Sequence, residues 1–338
     1  MTRNPYKYTV PLDPVNDRHT WISRAESTDQ VIDGIKKGDY WSLLVPRYIG
    51  KTTFLNQLMN RFTNARYLYF SFKKPPATEE KLYRMLIHRF MAEIPSNQTG
   101  TIDRAWKGEK PDLRFFEFLI KFRPTNGNQK IVLLFDDIDY VPSLGDFLIV
   151  WRNLYHERYY KKTLNKFTVV LTGSANLIAK TRGPTSPFNI TKIIAIKDFS
   201  DEESAALIEK PMKQLYINIE PEAKAYLLSQ MSGHPQLLQH ACHILVDRVN
   251  PGDKTIKKKD VDESKQVLLK KNPCLNMLKD DINKDETLKK FLQDILEGKK
   301  IKFLSHKELA LWGVGPIVER DSYCAIRNKL YEEVIKRN

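Results

Sequence analysis

The chain is poor in the groups that build extracellular or metal-centred folds. It has three cysteines in 338 residues, Cys242, Cys274 and Cys324. They are too scattered for a disulfide framework or a zinc site. No run of about 18 apolar residues occurs, so no membrane span is expected. The first residues are polar, with no apolar leader. A cytoplasmic, reducing setting is therefore expected. The seven histidines do not cluster. His240 and His243 share a helical face without an acidic or thiol partner and read as packing or surface residues. Acidic groups are outnumbered, 41 against 55 basic, for a net charge of +14. Such an excess suits nucleic acid, acidic lipid or an acidic partner. It is not focused, however. Basic residues recur along the whole chain, and the densest run, Lys257-Lys258-Lys259, reads as a solvated connector. No internal repeat is found.

What the chain does have is Ile49-Gly50-Lys51-Thr52-Thr53. An apolar run, Trp41 to Val45, precedes it, and Phe54 to Met59 follows with helical character. A phosphate at this strand-to-helix join meets backbone N–H groups, a helix N-terminus and an ammonium together. The loop departs from the pattern G-x-x-x-x-G-K-S/T at its first glycine, which is Val45, followed by Pro46. Valine resists positive φ, and proline pushes its predecessor toward extended backbone. The strand is therefore expected to run one residue further. Pro46 also removes one donor, but the N–H groups of Ile49, Gly50, Lys51 and Thr52 remain. Lys51 is expected to bridge the β- and γ-phosphates, and the Thr52 hydroxyl to ligate Mg²⁺. The competing reading is an ordinary turn with a surface lysine.

A second apolar run, Ile131 to Phe135, ends in Asp136-Asp137-Ile138-Asp139. A buried strand ending in carboxylates suits Mg²⁺ at a phosphate site, and the two strand ends, around 50–52 and 136–137, are expected to be neighbours that converge on the phosphates. Asp136 is the expected metal-holding group, directly or through water. Asp137 takes the place of a water-polarising acid. It is one methylene shorter than the more common glutamate, so slow hydrolysis is expected. Asp139 reads as a turn or cap residue. The run Phe167–Gly173 carries Thr172 at its end and leads to Ser174 and Asn176, small polar groups of which one, Ser174 foremost, is a candidate γ-phosphate sensor; the competing reading is a simple turn.

Strands are expected at 40–45, 67–72, 130–136, 167–173 and 192–196, alternating with helices. This argues for an α/β fold, a parallel sheet with helices on both faces. Ser27-Thr28-Asp29 reads as the cap of a helix ended by Gly38. From about 198 the strands stop. Helices begin at Ser200, near 221 and after Gly233-His234-Pro235. The last part has helices near 287–297 and 306–311, a β ribbon within 317–326 and a closing helix. The expected division is a lead-in (1–38), a phosphate-loop core (39–197), a helical lid (198–256) and a winged-helix-like domain (257–338).

Several segments together resemble the AAA-like domain of bacterial STAND-type ATPases, relatives of AAA+ and origin-recognition proteins. Arg47-Tyr48-Ile49-Gly50-Lys51-Thr52-Thr53 is similar to that family's R-Q-M-G-K-S-S loop, which also lacks the first glycine. Trp151-Arg152-Asn153-Leu154-Tyr155, Ser186-Pro187-Phe188-Asn189-Ile190, Asp198-Phe199-Ser200, Gly233-His234-Pro235 and Arg327-Asn328-Lys329-Leu330-Tyr331 resemble its later markers. The resemblance implies an ATP/ADP-dependent switch with Mg²⁺ as cofactor. Arg47 and Thr53 would join the phosphate site, and Pro235 would open the lid helix beside the nucleotide. Arg152, Arg158 and Arg182 are candidates to reach a γ-phosphate. Partners implied are an adenine nucleotide and a protein or a second copy. Two rivals stay open: a DNA-associated ATPase using the winged helix, and a scaffold that binds nucleotide without turnover.

Overall fold

The computed structural model describes residues 4–94, 110–125, 129–174, 177, 187–249, 254–305 and 313–338. They form two compact units. One comprises Ala25–Leu44 and Leu58–Ala195; the other comprises Met1–Arg24, Val45–Gln57 and Ile196–Asn338. Among the described residues, no helix is long and apolar enough to cross a membrane.

The first unit is built on α1 (Ala25–Lys37), β1 (Tyr40–Leu44), the last turn of α2 (Lys51–Arg61), β2 (Ala65–Ser71), α3 (Glu79–Glu93), α4 (Pro111–Lys121), β3 (Lys130–Asp136), α5 (Leu144–Glu157), β4 (Phe167–Gly173) and β5 (Thr191–Ile193). The strands are all parallel, in the order β2-β3-β4-β1-β5. β4 is buried along its length and β3 at all but its first residue. That is the signature of a sheet covered on both faces, and it explains why these strands read as unbroken apolar runs. β3 and β4 lie where the sequence places them. β1 stops one residue before the expected Val45, and β5 is shorter than expected. β1 and β3 are not neighbours, as the sequence reading had them: β4 lies between. α1 starts at Ala25, so Ser27-Thr28-Asp29 sit inside its first turns; Asp29 pairs instead with Arg61, Nη2 to Oδ2 at 2.7 Å. An aromatic cluster of Phe90, Phe115, Phe135, Phe147 and Trp151 fills one face of the sheet.

The second unit holds α6 (Asp201–Gln214), β6 (Asn218–Ile219), α7 (Pro221–Met231), α8 (Pro235–Val249), β7 (Thr255–Ile256), α9 (Lys258–Lys271), α10 (Pro273–Lys284), α11 (Glu286–Leu296), β8 (Ile317–Arg320), β9 (Tyr323–Ile326) and α12 (Lys329–Arg337). Ser200 caps α6 in a reciprocal box with Glu203. Two expectations are corrected. The strands do not stop at 198, because β6 and β7 form a two-residue parallel pair. The lysine run is not a connector: Lys258 and Lys259 open α9, where Asp260 accepts the Lys257 N–H at 2.8 Å. α10 is not among the expected helices, although its start carries a local signal. Asn272 caps it, accepting from Cys274 and Leu275, and Pro273 occupies its first position. The expected ribbon is β8 and β9, an antiparallel pair. Residues 301–303 add a third line to it through Cys324 N–H to Ile301 O (2.8 Å) and Phe303 N–H to Ser322 O (3.0 Å). Residues 306–311, an expected helix, lie outside the described residues.

α6 carries Pro211 in its interior. Proline has no N–H to give the carbonyl four residues back, Leu207. The buried hydroxyl of Tyr6 lies 3.0 Å from the carbonyls of both Leu207 and Ile208, so the orphaned acceptor is served from the lead-in. Burial pushes the Tyr6 phenol well above its ordinary pKa, with Cys242 adding to the shift, so it stays a donor. Tyr6→Phe is expected to cost about 1–3 kcal/mol, the usual penalty for a buried acceptor left alone. Thermal melting of the variant checks this; an unchanged melting temperature would contradict it.

Candidate functional site

The phosphate loop lies in the second unit and is strained where its pattern is unusual. Tyr48 has φ 65° and Gly50 φ 102°. A non-glycine residue in the left-handed region is uncommon and costs energy that its surroundings must offset. Tyr48 packs on the apolar core of this unit, which holds it there. α2 begins at Lys51, so its first-turn N–H groups face back toward the loop. Lys51 is 8% exposed, and its ammonium folds over its own loop, donating to Pro46 O at 3.2 Å and Val45 O at 3.4 Å. The Arg47 N–H donates to Gly313 O at 2.8 Å. The Thr53 hydroxyl accepts from Leu12 N–H at 3.2 Å, and Asn56 Nδ2 donates to Leu12 O at 2.9 Å. The lead-in therefore lies against the start of α2. Arg24 fixes it further: its N–H reaches Gln57 Oε1, and its guanidinium reaches Lys197 O and lies over Phe199. Ile49 is buried, and Thr52 follows Lys51 in the first turn of α2.

The carboxylate cluster lies in the first unit. Asp136 ends β3 and is fully buried. Tyr69 donates to its Oδ2 at 2.8 Å, and Thr172 Oγ1 donates to its Oδ1. The Thr172 oxygen in turn accepts the Asp137 N–H at 3.2 Å. Burial raises the Tyr69 phenol pKa, and the Asp136 charge raises it further, so the hydroxyl remains a donor. Asp137 sits at φ 58°, with its carboxylate 4.0 Å from the Lys73 ammonium, a loose contact with an exposed partner. Asp139 accepts from both the Ser174 N–H (2.8 Å) and its hydroxyl. Asp139 lies in the short turn Ile138–Tyr140 as expected, but its carboxylate reaches across to Ser174, 35 residues on, rather than capping that turn, and so engages the Ser174 hydroxyl. Tyr69 had no signal in the sequence, because its position depends on the β2–β3 register that sets Ser71 opposite Asp136.

Of the arginine candidates, Arg152 lies within α5. Arg158 is its C-cap, bonded to Gly38 O, at the edge of the sheet opposite Asp136. A helix following a strand in a parallel sheet runs back, so its end lands at the strands' beginnings. Arg158 therefore does not reach the carboxylates of its own chain. Arg182 and Asn176 lie outside the described residues.

The Gly233-His234-Pro235 turn is fixed from several sides. Pro235 opens α8, as expected. His234 Nδ1 accepts the Leu237 N–H, which leaves Nε2 as the donor toward the Tyr331 hydroxyl at 3.2 Å. The Tyr331 hydroxyl donates to Val314 O at 3.1 Å. Burial, helped by the Arg327 charge, pushes the His234 pKa down to about 3. Arg327 grips Asp198 through two bonds, 2.8 and 2.6 Å, and also donates to Val314 O. Gly233 has φ 73°, and a Cβ there would fall on the Phe199 carbonyl oxygen. Gly233→Ala is expected to destabilise this unit by roughly 2–3 kcal/mol, through backbone strain and a clash that no side chain can relieve. Denaturant unfolding checks it; a cost below about 0.5 kcal/mol, ordinary for a surface change, would contradict it.

A family model described as an AAA-like domain matches residues 12–337. Comparison with curated proteins gives no match. Among solved structures, the Walker-type ATPase PABY2304 of Pyrococcus abyssi superposes with a TM-score of 0.63 at 16% identity, over 97% of this chain and 99% of that one. Cdc6p of Pyrobaculum aerophilum gives 0.52 at 15% identity, over 93% and 94%. Thermotoga maritima RuvB, a Holliday junction branch migration motor, gives 0.51 at 13%, over 97% and 98%. At these identities the likeness is one of fold.

Proposed function

The chain belongs to the AAA-like domain family, and from that membership we propose that it is an ATP-operated switch of the STAND type with slow hydrolysis. One observation carries the reading. The phosphate loop belongs to the same compact unit as the lid helices and the C-terminal segment, and its Arg47 N–H is held by Gly313. A loop that shifts to take a triphosphate therefore pulls on 313–314, and Val314 O is the acceptor for both Arg327 and Tyr331. Bistable elements of this kind turn a small local change into a larger one.

In this reading, the N–H groups of Ile49, Gly50, Lys51 and Thr52 cradle the phosphates, with Arg47 and Thr53 flanking them. Lys51 exchanges its two carbonyl acceptors for phosphate oxygens. Thr52 and Asp136 are the groups that hold Mg²⁺, which supplies neutralisation of charge on the phosphate oxygens. The donor set fits. Asp136 accepts from Tyr69 and Thr172, and an ionised carboxylate is an acceptor-only group of the kind a metal-bound water donates to. Among the described residues no cluster of three His, Cys, Asp or Glu groups gathers; Mg²⁺ needs only one or two carboxylates beside the phosphates. Asp137 polarises the attacking water. Ser174 senses the γ-phosphate by trading its hydroxyl bond to Asp139. Pro235 sets the lid at the nucleotide.

We read the chain as a lead-in (1–38), a core (39–197), a lid (198–256) and a winged-helix-like part (257–338), the last supported by the three-line ribbon. It would act in the cytoplasm, on itself or on a protein partner. Light scattering with ADP, ATP and a non-hydrolysable analogue, each with Mg²⁺, tests the switch together with a phosphate-release assay. A mass that changes with triphosphate supports it. Indifference of mass and melting temperature to nucleotide rejects it. Melting stabilised by ATP without phosphate release or mass change selects the scaffold reading, and salt-dependent duplex binding selects the DNA reading.

A further inference from the structure

The N-terminal edge of the sheet carries a chain of cations that, among the described residues, no carboxylate balances. It lies at the far end of β3 from Asp136, roughly 20 Å away along six strand residues. Arg158 donates to Gly38 O and lies 3.8 Å over the Tyr155 ring. Lys130, the first residue of β3, donates to Asn165 O at 2.8 Å. A side chain on Gly38 would meet Arg158 at 3.5 Å and the Lys130 ammonium at 3.9 Å, so the two cations share one place. Beside Asn165, Lys166 donates to Phe122 O, which also accepts from Arg123 at 3.0 Å. The contacts thus run without a break from Arg158 to Arg123. Among the described residues, none of these four cations pairs with a carboxylate. Their neighbours Lys161 and Lys192 do, with Glu157 and Asp39.

The ordinary explanation is that cations cap helix ends. α1, α4 and α5 all finish here, and Gly38 and Phe122 stand just past the first two. A helix C-terminus carries about half a negative charge. Three such halves against four full charges leave more than two positive charges over, so capping accounts for only part of the cluster. The crowding is felt by the lysines. Burial, with Arg158, lowers the Lys130 pKa; burial, with Arg123, brings Lys166 down to about 8.

Directly after Arg158 come two bare rings. Tyr159 is 82% exposed and Tyr160 80%, set edge to face with centroids 5.3 Å apart. They are held on a rigid turn, by Tyr159 N–H to His156 O and Tyr160 N–H to Glu157 O. A single exposed aromatic needs no explanation. Two consecutive ones beside unbalanced cations combine ring faces with a positive field, the pairing that single strands require. A duplex hides its base faces, and an acidic peptide has few rings to stack.

We propose that this edge binds single-stranded nucleic acid, with phosphates drawn to the Arg158-to-Arg123 cations and bases stacked on Tyr159 and Tyr160. The test is fluorescence anisotropy of a labelled oligothymidylate of about twenty nucleotides with the full chain, over a salt series. Binding is expected at low salt and weakens as salt rises. The double variant Tyr159→Ala, Tyr160→Ala is expected to lose roughly tenfold or more in affinity, and Lys162→Glu, which reverses an exposed charge two residues beyond Tyr160, to bind more weakly and with a shallower salt slope. Both should melt where the parent melts, since these side chains project into solvent. Three outcomes overturn the proposal: no oligonucleotide binding at low salt, equal binding by the tyrosine variant, or binding of a duplex or of polyglutamate as tight as that of the single strand.

Discussion

Lys51→Ala is expected to weaken ATP binding by roughly tenfold to a hundredfold or more. A hydrogen bond to a charged group contributes about 1.5–3 kcal/mol, and each 1.4 kcal/mol is a factor of ten. The lysine is already drawn over the loop by the Pro46 and Val45 carbonyls, so little ordering is needed when phosphate replaces them. Folding should change little, because the two carbonyls it leaves can take water at the loop. Isothermal titration with ATP and ADP measures the loss, and light scattering shows whether triphosphate still alters the mass. Retention of full affinity in a folded Lys51→Ala protein would remove this loop from the phosphate site. Lys51→Arg is the informative companion. It keeps the charge but exchanges a compact ammonium for a planar fork in a nearly closed space, so partial loss is expected.

Arg327→Met is expected to cost about 3–5 kcal/mol, the penalty for leaving one member of a buried pair behind. Arg327 is 5% exposed at its side chain, and Asp198 22%. Burial alone would raise the Asp198 pKa; the charge and hydrogen bonds of Arg327 reverse this and hold the carboxyl below its ordinary value. The sign follows from that direction. In the parent, stability from this carboxylate is full above its unfolded pKa of about 3.9 and is lost as pH falls through the lower folded value. In the variant, burial is opposed only by the lesser pull of His234 and Arg24 and the folded pKa rises, so protonation relieves the isolated charge. The gap between parent and variant should therefore narrow as pH falls from 7 toward 4. His234 adds a separate effect in the parent. Its pKa of about 3 lies below the unfolded value near 6.5, so stability falls steadily as pH drops from 6.5 toward 3. Denaturant unfolding across this range reads both effects. A gap that stays constant with pH would show that Asp198 is not the group left behind. Asp198→Asn combined with Arg327→Met should recover part of the loss, since it removes the stranded charge.

Much of the fold was legible because it rests on local signals. β3 and β4 are apolar runs with one possible use in an α/β chain, and the Ser200 and Thr78 caps mark where α6 and α3 begin. The lysine run at 257–259 misled for a local reason too. Its charges read as solvated, yet Asp260 supplies an acidic first turn and Val261, Ser264 and Leu268 a buried stripe. Asn272-Pro273 was a plain helix start within an apparently polar stretch. The error over β1 and β3 is of another kind. Strand order is a long-range choice, and no residue in either strand records that β4 enters between them.

The amino-acid order by itself determined the chemistry that is carried by neighbours in the chain. The Gly50-Lys51-Thr52 join, the carboxylates that end β3 and the Gly-His-Pro turn each act within a few residues, so spacing alone reveals them. Tertiary structure decided what those groups meet: Tyr69 and Thr172 on Asp136, Gly313 on the Arg47 N–H, Tyr6 on the carbonyl that Pro211 orphans, and Arg327 on Asp198. Each of these bonds joins residues more than thirty positions apart. Their partners are selected by burial, where an unmet polar group costs more than the bond itself returns in water. That selection operates only once the core has closed.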